Sequence, residues 1–105
     1  MRINPRRLRF AFQRLFRGWD DSETWSLDVP LAKNIAPRLR RFKELNNGIP
    51  CGETEVSWDI KLDAMIWAFE FAASEERWGC PSKEQWEKAQ KGLGLFAKHY
   101  FSLWW

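Results

Sequence analysis

The sequence predicts an all-α fold, a bundle of about four helices, on three observations. Four stretches carry apolar residues at helical spacing. Pro, Gly, Asx and Ser/Thr signals punctuate the segments between them. No window shows strand alternation flanked by hairpin turns. The chain has 105 residues, which is one domain's worth. Its 45% apolar and 30% charged content is that of a globular protein rather than a disordered one.

The first helix is expected over 5–17. Pro5 suits a first turn, Gly18 suits a terminator, and Leu8, Ala11, Phe12, Leu15 and Phe16 form one stripe. Asp20-Asp21-Ser22 is turn and cap chemistry. The second helix, about 28–45, has Leu31, Ile35, Leu39 and Phe42 as its stripe, with Ala32 and Leu45 beside them. Pro37 lies inside this pattern and is expected to kink or split the helix. Asn46 to Gly52 is a loop.

The third helix, about 55–74, is capped by Thr54 or Ser57. Trp58, Leu62, Met65, Ile66, Phe69 and Ala73 line one face, and Ile60, Ala64, Trp67 and Phe71 a second. A helix apolar on two faces is central in a bundle or covered by a partner chain. Ser82 and Gln85 form a capping box for a fourth helix running to about 103, with Trp86, Ala89, Leu93, Phe96, Tyr100 and Leu103 as its stripe.

Counts exclude several chemistries. The chain has one histidine, His99, and two cysteines, Cys51 and Cys80, with no Cys-x-x-Cys or His-x-x-x-His pair, so neither a metal site nor a disulfide framework is expected. The expected state of the cysteines is reduced. No nucleophile elbow accompanies His99, and Gly92-Leu-Gly94 is not a phosphate loop. The acid pairs Asp59/Asp63 and Glu84/Glu87 have lysines nearby and no histidine, which makes catalysis a poor fit. No enzyme activity and no cofactor are expected. No run of about 18 apolar residues and no secretory signal pattern is present.

Charge is concentrated. Residues 1–17 carry six arginines and no acid, 18–36 net −3, and the rest ten charges of each sign. Arginine presents a planar set of donors suited to phosphate and carboxylate. The N-terminal arginines fit a nucleic-acid arm, an anionic-membrane contact or a solvated helix face. A total of +3 is low for a dedicated DNA binder.

Three stretches together carry a resemblance: Arg17-Gly-Trp-Asp-Asp-Ser-Glu-Thr-Trp-Ser-Leu-Asp28, Leu31-Ala-Lys with Pro37-Arg-Leu and Phe42-Lys-Glu44, and Leu62-Asp-Ala-Met-Ile-Trp-Ala-Phe-Glu70. Gly92-Leu, Leu95-Phe, Tyr100-Phe and Leu103-Trp-Trp105 complete it. Over residues 17–105 the chain resembles a widespread family of small tailed-phage proteins without an assigned function. The resemblance implies a phage product acting in the host bacterial cytoplasm and supplies no catalytic residue.

The tryptophans separate into two groups. Trp58, Trp67 and Trp86 fall on apolar faces and read as core. Trp19, Trp25, Trp78, Trp104 and Trp105 fall at loops or the chain end, where an indole docks on its own helices, stacks on a base or anchors an interface. The 17–25 segment has two readings. It can hold a nucleotide, or it can be a connector in which Asp20, Asp21 or Ser22 caps a helix and Arg17 bridges an acid. Arg38, Arg40, Arg41 and Lys43 either grip phosphate or complement a helix C-terminus.

The leading expectation is a binding protein that sequesters a small anionic, nucleotide-like ligand such as a cyclic nucleotide or ADP-ribose immune signal. Its expected site residues are Arg17, Trp19, Trp25, Arg38, Arg41, Asn46, Asn47 and Trp105. A homo-oligomer is expected, with the spare face of the third helix and Trp104-Trp105 supplying subunit contacts. The alternatives are an inhibitor or adaptor of a host enzyme, and nucleic-acid or membrane-surface binding through the arginine-rich N-terminus.

Overall fold

A computed structural model describes residues 5–45 and 48–104. Four helices follow in order: α1 (Pro5–Arg17), α2 (Asp28–Leu45), α3 (Glu55–Ala73) and α4 (Lys83–His99). Short 3-10 turns lie at Asp21–Thr24, Glu75–Trp78 and Tyr100–Ser102, and there is no strand among the described residues. The expected all-α bundle is observed.

The local signals act as read. Gly18, at φ +82°, closes α1 in the left-handed conformation, and its N–H donates to the Arg14 carbonyl at 2.9 Å. Thr54 and Ser57, expected as alternatives, work together. The Ser57 N–H donates to Thr54 Oγ1 at 3.1 Å, and the Thr54 N–H donates to Ser57 Oγ at 2.9 Å. Ser82 and Gln85 form the same reciprocal box ahead of α4.

Pro37 does not split α2, which runs unbroken from Asp28 to Leu45. Pro37 is exposed, and the helix lacks one backbone donor there, that to the Lys33 carbonyl one turn back. The buried face of α2 is Ala32, Ala36 and Leu39, whereas Leu31 is exposed. The contact face is thus rotated from the expected stripe. Alanines let the α2 backbone approach α3, whose larger Trp58, Leu62, Met65, Ile66 and Phe69 fill the space between.

α3 is the central helix. It packs against α2 on one side and α4 on the other and buries seven side chains, with Met65 and Ala68 fully enclosed. Its second apolar face is not spare, which corrects the expected subunit contact there. Gly92 of α4 nests against Ala64 and Ala68, Trp86 meets Phe71 edge-on at 5.7 Å, and of the second-face residues only Ile60 stays exposed. On α4 the buried residues are Ala89 and Gly92. Leu93 is more than a third exposed, because the small residues set the approach. The helix ends at His99 rather than 103, tightening into a 3-10 turn that returns Leu103 to the core cluster.

α1 stands apart. None of its residues is buried, and its contacts are with the Asp21–Thr24 turn rather than the α2–α3–α4 body. The radius of gyration is 17.1 Å, against about 13 Å for a compact chain of this size.

Candidate functional site

The turn between α1 and α2 is a knot of charge. Asp20 is 2% exposed. Its carboxylate accepts from the Ser22 N–H at 2.9 Å, from the Ser22 hydroxyl and from the Arg14 guanidinium, while Glu23 accepts from the Asp20 N–H at 2.7 Å. Asp21 accepts from Arg9 and Gln13, each at 2.8 Å, and from Arg17 at 2.7 Å. The Gln13 side-chain Oε1 accepts the Asp21 N–H in return at 2.7 Å. The Ser22 hydroxyl, and then Arg14, hold the Asp20 carboxyl below the usual carboxylate range. Gln13 and Arg17, with Arg9, do the same for Asp21. The guanidinium of Arg17 also lies 3.7 Å from the centre of the Trp19 ring and donates to the Trp19 carbonyl at 3.1 Å.

This is the connector reading of the 17–25 segment. The carboxylates and Arg17 are committed to one another, and Trp19 is stacked by its own neighbour.

Beyond the knot opens a cleft of about 440 Å³ lined by Ser22, Glu23, Trp25, Ser26, Val29, Pro30, Lys33 and Trp78. Its two indoles are 62% and 63% exposed. Each is supported from its own side. Phe10 meets Trp25 edge-on at 5.5 Å and the Arg6 guanidinium sits 4.8 Å from its ring centre. Arg77 lies 4.2 Å from the Trp78 ring centre and pairs with Asp28, tying the turn after α3 to the first residue of α2. That ion pair brings residue 78 to the same cleft as residue 25.

The expected site residues do not converge. Trp25 lines the cleft, and Arg17 and Trp19 belong to the knot that precedes it. Arg38 is ten residues past the start of α2, about 15 Å along its axis. It lines a small groove with Ile35, Leu39, Phe42 and Leu103 and donates to the Asn34 carbonyl at 2.8 Å. Arg41 pairs with Glu44 at 3.1 Å. Asn46, Asn47 and Trp105 lie outside the described residues. The expected set therefore does not form one site. The path of α2 carries Arg38 and Arg41 away from the aromatic end, although their chemistry matches that of Arg17. Lys33 and Trp78 complete the cleft and were absent from the expected set. The signal for Trp78 was an indole between charged residues and Gly79; for Lys33 there was none beyond its position one turn after Val29.

A larger groove of about 560 Å³ lies between the 48–51 loop and the chain end, lined by Gly48, Ile49, Pro50, Cys51, His99, Ser102 and Trp104. It brings no lysine or arginine. His99 meets Trp58 edge-to-face at 5.4 Å, and its Nε2 is buried without a hydrogen-bond partner. Nearby, Lys61 and then Ser57 hold the Glu53 carboxyl below the usual range.

One member of each acid pair is held by a lysine. Asp63 accepts from Lys43 at 2.6 Å, and Glu87 faces Lys83 at 3.8 Å. Both cysteines are exposed and free, and no group of His, Cys, Asp and Glu among the described residues is arranged to hold a metal. No described helix is long and apolar enough to cross a membrane. No protein family, curated protein or solved structure matches the chain.

Proposed function

We propose that the chain is a binding protein that holds a nucleotide-like anion, of cyclic-nucleotide or ADP-ribose type, in the cleft between Trp25 and Trp78. One observation carries the reading: two indoles 53 positions apart in sequence line one open cleft together with Lys33. Each supplies an aromatic platform, and base–aromatic stacking contributes about 1–3 kcal/mol. Lys33 is the point charge for a phosphate. Ser26 brings a hydroxyl. Glu23 keeps phosphate away from its own end of the cleft and accepts a ribose hydroxyl there. The Arg14–Asp20 and Arg77–Asp28 pairs fix the two walls before the ligand arrives, which reduces the ordering cost of binding. Taken with the resemblance to small phage proteins, this reading makes the protein a sequestering agent for a host nucleotide signal in the bacterial cytoplasm.

The test is native mass spectrometry and calorimetry with a panel of cyclic nucleotides and ADP-ribose derivatives. Binding of at least one member is expected. Trp78→Ala and Lys33→Ala are each expected to weaken it at least about tenfold, and Arg38→Ala to leave it unchanged. If the wild-type chain binds no member of the panel, or if Arg38→Ala matters and Trp78→Ala does not, the proposal fails.

A further inference from the structure

α1 is turned inside out. At 100° per residue, Leu8, Phe12, Leu15 and Phe16 fall in one sector about 100° wide. Phe10, Arg14 and Arg17 lie on the opposite side. An amphipathic helix docked on its own protein ordinarily buries the apolar sector. Here the polar side is the docked one: Arg9, Gln13, Arg14 and Arg17 reach Asp20 and Asp21, and Phe10 reaches Trp25. The apolar side is left facing out, with Leu8 49%, Phe12 55%, Leu15 77% and Phe16 78% exposed. Phe12 and Phe16 stack on each other at 5.9 Å, 14° from parallel, and so present one continuous ridge.

We infer that this ridge is an interface with a second copy of the same chain, α1 against α1. Two quantities select that occupant. The first is charge. Three of the five arginines of α1 pair directly with Asp20 or Asp21, and Arg6 lies over the Trp25 ring. A helix built for an anionic lipid surface or for nucleic acid keeps its cations available to phosphate. Here Arg9, Arg14 and Arg17 are engaged by aspartates and Arg6 by an indole, and the ridge itself is uncharged. The second is area. The four exposed side chains offer roughly 500 Å² of apolar surface. Two copies pairing about a two-fold axis bury about twice that, which reaches the lower bound of specific interfaces near 1,000 Å². A two-fold contact is self-complementary, so Phe12 near the middle of the ridge meets its own copy. Arg9, which flanks the ridge, is ion-paired with Asp21, so the pairing does not bring a bare guanidinium to the edge of the ridge.

The dimer is tested against a Kd on the order of micromolar. The experiment is analytical ultracentrifugation of the full chain at roughly fifty times that concentration. Leu15→Glu and Phe16→Glu serve as variants, with Ile60→Glu as a control on the exposed edge of α3. All three positions are exposed, so the far-ultraviolet circular dichroism of each variant is expected to match wild type. The expected result is a wild-type dimer, a dimer for Ile60→Glu, and dimerisation weakened at least about 100-fold in both α1 variants, because each substitution enters the interface twice. A wild-type monomer at that concentration overturns the inference, as does a dimer that survives both α1 variants. So does a monomer in solution that floats with vesicles of phosphatidylserine and phosphatidylcholine, which assigns the ridge to lipid. None of these readouts depends on the ligand cleft.

Discussion

Gly92→Ala is expected to destabilise the protein, although helix propensity alone predicts the opposite. Replacing glycine by alanine inside a helix ordinarily stabilises by about 1 kcal/mol, because alanine loses less backbone entropy. At Gly92 the added Cβ would press on the Ala64 carbonyl oxygen and lie 2.6 Å from Ala68 Cβ. Both partners belong to the rigid part of α3, so neither yields by a rotamer change. The helices have to part, and overpacking of this kind costs about 1–3 kcal/mol or more. The clash with backbone puts this site at the upper end, for a net loss of about 2 kcal/mol. At 4–8 °C per kcal/mol for a small domain, the melting temperature falls by on the order of 10 °C. Gly94, two residues on, is the internal control. It lies in the same helix, is exposed, and has nothing within 4 Å of an added Cβ. Gly94→Ala is therefore expected to stabilise by about 0.5–1 kcal/mol. Thermal and urea melts followed by circular dichroism measure both. A Gly92→Ala variant as stable as wild type would refute the close α3–α4 approach.

The exposed position of Pro37 in an unbroken helix predicts that Pro37→Ala stabilises by about 2 kcal/mol in a urea melt, since alanine restores the donor to the Lys33 carbonyl; no gain would show that the helix has already accommodated the proline. Asp20, Asp21 and Glu53 all have lowered folded-state pKa values, so the stability they provide is complete above the ordinary carboxylate range, near 4. It is lost as the pH falls through their lower folded values. Melts between pH 7 and pH 3 are expected to show that fall, with Asp20→Asn less stable at pH 7 and shallower in its dependence; a pH-independent melting temperature would contradict the charge knot.

Much of the fold was legible because its signals are local. Pro5 and Gly18 bound α1, and Ser82 with Gln85 opens α4, because a cap satisfies backbone donors within four residues of itself. The centrality of α3 was legible from its two apolar faces. The phase of α2 was not. Leu31, Ile35 and Leu39 make a valid stripe, and Ala32, Ala36 and Leu39 make another. Which one faces inward depends on the volume of Trp58, Met65 and Phe69 on the opposite helix. The cleft was half legible. Trp25 stood out as a loop indole, but its partner Trp78 arrives through an Arg77–Asp28 pair spanning 49 positions, which no local pattern announces.

The sequence by itself determined that this chain is helical, where its helices start, and that α1 has an apolar ridge. Those properties depend on neighbours within a turn or two along the chain. Only the tertiary structure decided which faces meet. Side-chain volume across the α2–α3 and α3–α4 contacts is a balance between elements distant in sequence, and the pairs of Arg9, Arg14 and Arg17 with two aspartates form across the turn that follows α1. They left the ridge of α1 facing outward and brought two distant tryptophans to one cleft.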